Sequence, residues 1–253
     1  MLILLPPSET KTPRRRGKPL DLDSLSFPEL TAARDKLLDV LADVSARPDA
    51  LDVLGVGQSL AADVARNLTL RTAPAGAVET LYTGVLYDAL DLPSLENAAL
   101  RRARRWIVVQ SALFGALRLA DKVPAYRLSM GTNLPGVGPL AAHWRGEVGG
   151  PLTEFAGNGV VVDCRSSTYA AAWSPTGSVA DRWVRIHVPG ATHNAKHTRG
   201  LVTRHLAVAG AAPRTPASLR DVLGEAFTVE LREPKRIGTP WELSVTASSR
   251  GEA

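Results

Sequence analysis

Three short, unbroken apolar runs constrain this fold more than any other feature: Leu2-Ile3-Leu4-Leu5, Trp106-Ile107-Val108-Val109 and Val160-Val161-Val162. A run of about four apolar residues bounded by turn or polar signals reads as a buried strand. Pro6-Pro7 stops the first one, and Asp163 follows the third. Further strands are expected at Tyr126-Arg127-Leu128, Trp183 to Val188, Phe227 to Leu231 and Trp241 to Val245.

Elsewhere the period is helical. Ser26 reads as an N-cap ahead of Pro28, and Leu30, Ala33, Leu37, Leu38, Leu41 and Val44 recur at three and four. Short helices are expected from Asp49 to Leu54 and from Gln58 to Asn67, then longer ones from Ala77 to Leu90 and Ser94 to Arg105. Helices also fall at Leu140 to Trp144, Glu147 to Ala156, Ser167 to Trp173, Asn194 to Ala209 and Ser218 to Glu225. Irregular spacing and long polar loops predict an α+β (mixed α/β) fold, not a regular doubly wound sheet. A mainly helical N-terminal part packs on a mixed β-sheet with flanking helices. No linker or repeat interrupts residues 1–253, so one domain is expected, with Ser248 to Ala253 as a frayed tail.

No apolar run approaches the roughly 18 to 20 residues of a membrane span. The N-terminal apolar run is too short for a signal peptide, and one cysteine, Cys164, excludes an internal disulfide framework. A soluble, cytoplasmic protein is expected. Of 30 basic residues, 24 are Arg, and they outweigh 25 acidic ones to give +5. Arg binds phosphate and carboxylate bidentately, so the bias suits anionic partners. Arg14-Arg15-Arg16 with Lys18 and Arg101-Arg102 with Arg104-Arg105 are the dense clusters; each reads as a binding patch or as a solvated face.

The sharpest local motif is Leu54-Gly55-Val56-Gly57-Gln58-Ser59, followed by Ala61 and Val64. Two short helices joined by this tight turn resemble the helix-hairpin-helix DNA-binding motif, over residues 49–67. Glycines let a phosphate approach the backbone, and free amides at the second helix attract it. A plain αα-hairpin capped by glycine is the alternative. Either way such contacts position a protein on DNA without reading its sequence.

Polar residues also collect where strands end or helices begin: Tyr126-Arg127, Arg165-Ser166-Ser167-Thr168-Tyr169, and His193-Asn194-Ala195-Lys196-His197-Thr198-Arg199. Open sheets place ligands there. Lys196 and Arg199 share a face early in their helix, where cations oppose the dipole unless an anion is near. An ion pair with Asp163 or Glu29 would be the structural explanation.

Several segments together resemble the YaaA peroxide stress protein family. They are Met1 to Thr12 with Lys11, Tyr82-Thr83-Gly84-Val85-Leu86-Tyr87, Ser111 to Arg118 running on to Tyr126-Arg127-Leu128-Ser129-Met130-Gly131, and Lys196 with Arg199-Gly200-Leu201. The resemblance covers roughly positions 1 to 210, leaving out the C-terminal forty residues. It implies a compact α/β fold with a basic cleft, a helix-hairpin-helix element, DNA binding, and a role in limiting iron-driven oxidative damage. Lys11, Arg127, Ser166, Lys196 and Arg199 fall at family-like positions expected to line the cleft.

His193 and His197 lie four apart without a third ligand, so no metal site and no cofactor are expected. Cys164 reads as a small buried hydrophobe, with a peroxide-sensing thiol as the alternative. The leading expectation is a stress protein without a catalytic centre. It would hold DNA by the Gly55, Val56, Gly57, Gln58 and Ser59 turn and by Arg14, Arg15 and Arg16. The rival is an enzyme acting on a small anion in a cleft of Lys11, Arg127, Ser166, Ser167, Tyr169, Lys196 and Arg199, with Lys196 as base or nucleophile.

Overall fold

Seven strands form one mixed sheet: β1 (Leu2–Leu5), β2 (Ile107–Ser111), β3 (Gly115–Arg118), β4 (Val161–Asp163), β5 (Trp183–His187), β6 (Phe227–Arg232) and β7 (Trp241–Ala247). The computed structural model describes residues 1–190 and 192–247, and the side chains of these apart from Thr192, His193 and Ala247. The expected frayed tail, 248–253, lies outside the described residues.

The spatial order is β6-β7-β5-β4-β1-β2-β3. The five inner strands are mutually parallel, and an antiparallel strand closes each edge, β3 on β2 and β6 on β7. β1 sits between β2 and β4, with Ile3 opposite both Ile107 and Val162. All four of its residues are buried. Continuous apolar sequence is what a parallel strand covered on both faces requires, which is why these three runs read correctly. Edge strand β6 instead alternates half-buried and exposed residues.

Helices cover the faces. Thr31–Ser45 buries Leu37, Leu38, Leu41 and Val44 as the period predicts. It also buries Arg34, whose guanidinium donates to the carbonyls of Phe114 (3.0 Å), Ala116 (2.8 Å), Ser26 (2.8 Å) and Phe27 (3.2 Å) and so ties the helix to β3. Ser26 is not the N-cap. Its amide and hydroxyl bond Asp121 Oδ1 (3.0 and 2.8 Å), and a 3-10 turn, Pro28–Leu30, leads into the helix.

Three further expectations need correction. Tyr126-Arg127-Leu128 is not a strand, because the Asn67 amide takes its main-chain groups: Arg127 N–H donates to Asn67 Oδ1 and Asn67 Nδ2 donates to the Arg127 carbonyl, both at 2.9 Å. The helix expected from Ala77 to Leu90 is two, Val78–Leu81 and Val85–Leu90, broken at Gly84 with φ +97°. The helix expected from Asn194 begins two residues earlier, at Thr192, and runs to Ala209. Strand β3 went unread because Gly115-Ala116-Leu117-Arg118 carries no β-branched residue.

Candidate functional site

The parallel strands deliver their C-terminal ends to one place. β1 runs out into Pro6-Pro7-Ser8-Glu9-Thr10, and β4 runs through Cys164 and Arg165 to Ser166, which precedes the short helix Ser167–Ala170. The break at Thr83-Gly84 and the first turns of Thr192–Ala209 close the remaining sides. These segments enclose a cavity of about 340 Å³ that includes Glu9, Tyr87, Ser166, Tyr169, Lys196 and Arg199. Ligand sites of open α/β sheets lie at this end.

Its floor is fixed by a buried polar cluster. Asp163 and Arg165, both almost fully buried, form a bidentate pair, Arg165 Nε to Oδ1 at 2.8 Å and Nη2 to Oδ2 at 2.6 Å. Trp183 Nε1 donates to Asp163 Oδ2 (3.0 Å), and Arg165 also donates to the Trp173 carbonyl (2.9 Å) and to Gln110 Oε1. Burial opposes ionisation of Asp163, yet Arg165 holds its carboxyl below the usual carboxylate range. The pair thereby locks the turn that presents Ser166.

Lys196 is exposed and Arg199 half-buried. Arg199 Nε is buried without a hydrogen-bond partner, and its Nη2 reaches the Ile186 carbonyl only at 3.4 Å. The ion pairs envisaged for these cations are not made among the described residues. Asp163 is committed to Arg165 and Trp183, and Glu29 acts on Arg34. Burial pushes the phenols of Tyr87 and Tyr169 up, so both stay protonated, and Tyr87 OH donates to the Pro6 carbonyl at 2.8 Å. Among the described residues the cavity therefore combines two cations without a salt bridge, the hydroxyls of Ser8 and Ser166, and one carboxylate, Glu9.

Lys11 and Arg127 stand beside this cavity without lining it. Arg127 Nη1 pairs with Glu9 Oε2 at 2.9 Å, which joins them to the wall. Lys11 bridges Tyr82, donates from Nζ to the Ser8 carbonyl (2.9 Å), and holds Nζ 4.3 Å from the Tyr126 ring centroid and 5.6 Å from that of Tyr82. Behind it Tyr82 OH, Tyr126 OH and Ser111 Oγ are linked at 3.1 and 2.7 Å. Burial lowers the Lys11 ammonium to about 8, with Arg127 adding to the shift and Glu9 opposing it. Lys11, not the exposed Lys196, is the amine that its surroundings desolvate.

The glycine turn lies on the neighbouring surface. Ala50–Leu54 ends at Gly55 in the left-handed region (φ +64°), Gly57 is extended, and a 3-10 turn, Gln58–Leu60, leads into Ala61–Ala65. Space around both glycines is open, and among the described residues the amides of Gly57, Gln58 and Ser59 have no partner. Two nearby arginines are already paired, Arg47 with Asp49 and Arg66 with Asp63. Asn67, in the 3-10 turn Arg66–Thr69 that follows, is the residue that clamps Arg127. Arg14 and Arg16 line a different groove with Lys18 and Lys122; it shares no residue with the cavity. Arg15 and Ser167 are exposed and line neither.

Cys164 is fully buried and its thiol is pushed up to about 12 by burial, which removes the thiolate a peroxide sensor needs. Full burial favours the small buried hydrophobe over the sensing thiol. His197 is exposed, and the His193 side chain lies outside the described residues; among those described, no three His, Cys, Asp or Glu gather as a metal site. No helix among them is long and apolar enough to cross a membrane. Glu9, Thr83, Gly84 and Tyr87 are among the cavity residues that sequence reasoning missed. The glycine inside an apparently continuous helix was the available signal.

A UPF0246 protein of Streptomyces coelicolor is 47% identical over 254 residues, covering 97% of this chain and 98% of the relative. One from Corynebacterium efficiens is 40% identical over 243 residues, covering 93% and 97%. A UPF0246 protein of Francisella tularensis is 30% identical over 137 residues, about half of each chain. The family model described as peroxide stress protein YaaA matches residues 1–232. The chain belongs to the YaaA peroxide stress protein family.

Proposed function

We propose that this protein serves peroxide resistance in the cytoplasm by binding DNA along a basic cleft, shielding the duplex from iron-driven oxidation. The observation that carries the reading is the pair of uncompensated cations at the cavity, Lys196 and Arg199, the latter with a buried, unpartnered Nε. A buried donor without a partner costs about 1–3 kcal/mol, which a phosphate oxygen would recover. The open Gly55–Ser59 turn, joined to the cleft through Asn67 and Arg127, supplies free amides for a second phosphate. Contacts of this kind are sequence-tolerant.

A gel-shift titration with duplex DNA at two salt concentrations tests it. Binding weakens as salt rises, Lys196→Gln/Arg199→Gln weakens it further, and Gly57→Val, whose extended backbone tolerates a side chain, weakens it without loss of fold. No binding at low salt, or affinity indifferent to salt, overturns the proposal.

A second reading has its own observation. A cavity of about 340 Å³ is the size of a small-molecule site and far too small to admit a duplex. With Lys196, Arg199 and the Ser166 hydroxyl on its lining, it suits an enzyme acting on a small anion. Ser166→Ala, which removes no charge, then abolishes protection against peroxide while leaving DNA affinity within about twofold; loss of both together favours the DNA cleft.

A further inference from the structure

A second cavity, of about 420 Å³, opens at the opposite end of the sheet. Met1 precedes β1, Asn158-Gly159 precede β4 and Arg105-Trp106 precede β2, so it sits at the N-terminal ends of the strands whose C-terminal ends build the cleft. A four-residue strand separates the two by roughly 13 Å.

Its charges are one-sided. Arg105, Arg118 and Arg214 line it, and among the described residues no carboxylate does. Arg105 and Arg214 are exposed, and neither makes a hydrogen bond or salt bridge among the described residues. Arg118 donates from Nη2 to the Arg104 carbonyl (3.0 Å), while its Nε is buried without a partner. Arg182 stands behind the wall, donating to the Gly157 (2.9 Å) and Gly159 carbonyls, and makes no salt bridge among the described residues. Its neighbours in sequence show that this is not simply Arg surplus. Of the Arg101–Arg105 cluster, Arg102 is spent on the Ala207 carbonyl (2.7 Å) and Arg104 on Glu79 (2.8 Å), whereas Arg105 is left facing the cavity.

The walls add an apolar component. Phe155 is half-buried with the Arg118 guanidinium 5.5 Å over its ring, and Trp106 lies alongside. Converging guanidinium groups recognise phosphate bidentately, and aromatic side chains take a planar apolar group beside it. We propose that this cavity is a nucleotide-binding site, with the phosphate held by Arg105, Arg118 and Arg214 and the organic part against Trp106 and Phe155. The nucleotide comes either free or as the phosphorylated end of a nucleic acid strand. The site is independent of the cleft and does not rest on the cleft's function.

Isothermal titration of the full chain with AMP, inorganic phosphate and a 5′-phosphorylated oligothymidylate tests this. Arg105→Gln/Arg214→Gln weakens AMP at least tenfold, whereas Arg199→Gln in the cleft leaves it within twofold. AMP binds more tightly than inorganic phosphate, which lacks the part that meets Trp106 and Phe155. Oligonucleotide binding lost in the double variant places a strand end in the site; oligonucleotide binding retained while AMP is lost assigns it to the free nucleotide. Absence of AMP binding at millimolar concentration overturns the proposal. So does equal affinity for inorganic phosphate, an unchanged double variant, or a loss that follows Arg199→Gln instead. A measurement without substitutions stands beside it. AMP should protect Arg105 and Arg214 of the wild-type chain from phenylglyoxal, read by mass spectrometry, and absence of protection argues equally against the site.

Discussion

Lys11 holds its ammonium against two phenol rings and a backbone carbonyl, with no salt bridge among the described residues. Unfolded, the amine titrates near 10.5; folded, burial lowers it to about 8. Between these values the unfolded chain binds a proton that the native state does not, so stability rises with pH across that window. Below about 8 both states are protonated, and the native state carries the full penalty, on the order of 3 kcal/mol. Lys11→Met therefore flattens the rise in stability between pH 8 and 10.5, as urea denaturation at a series of pH values would show. A wild-type profile already flat over that range would contradict the desolvated amine.

At the scale of elements, the crossing of Thr192–Ala209 over Val85–Leu90 decides whether the cavity exists at all. It is close because Gly200 has no side chain: a Cβ there would strike the Leu86 carbonyl and approach Ala89 Cβ to 2.8 Å. Gly200→Ala gains roughly 1 kcal/mol of helix propensity, yet overpacking against backbone costs about 1–3 kcal/mol. Net destabilisation with a lowered melting temperature is expected, together with weaker ligand binding, because the second turn of the same helix carries Lys196 and Arg199. A stabilised variant would mean that the two helices can part freely. Gly200 was legible in the sequence only as part of the family resemblance, because its role is set by a helix more than a hundred residues away. The same limit governs the other misreadings. Apolar runs such as Leu2–Leu5 announce themselves, since burial on both faces is written into every residue. The irregular path of Tyr126–Leu128 depends on the Asn67 side chain, and the break at Gly84 on a backbone angle only the tertiary structure demands. The site residues could be named as types at strand ends, but their division between the cavity and its neighbour Lys11 depends on where Glu9 meets Arg127.

Across the whole molecule, the arginine surplus is smaller than a pI of 9.6 suggests. Arg34, Arg102, Arg182 and Arg204 are spent on backbone carbonyls, Arg165 on the buried Asp163, and Arg47, Arg66, Arg71, Arg104, Arg220 and Arg232 on surface carboxylates. Arg127 is paired with Glu9, and near pH 8 Lys11 is about half neutral. A DNA segment seated at the cleft thus meets two free cations, Lys196 and Arg199, with the partly charged Lys11 behind them. Each neutralised phosphate contributes about 0.9 to the slope of log affinity against log salt on duplex DNA, so that slope should be shallow, roughly −2 to −3. Lys196→Gln/Arg199→Gln should bring it close to −1 and cost affinity at low salt far more than at high salt. Raising pH from 7 to 9 should flatten the wild-type slope as Lys11 loses its proton. A wild-type slope near −5 would place the duplex on a wider surface, one that must recruit Arg14, Arg15 and Arg16 or the cluster around Arg105 and Arg214. In that case Lys196→Gln/Arg199→Gln would leave the slope almost unchanged, and the cleft would have to be assigned to a ligand of its own.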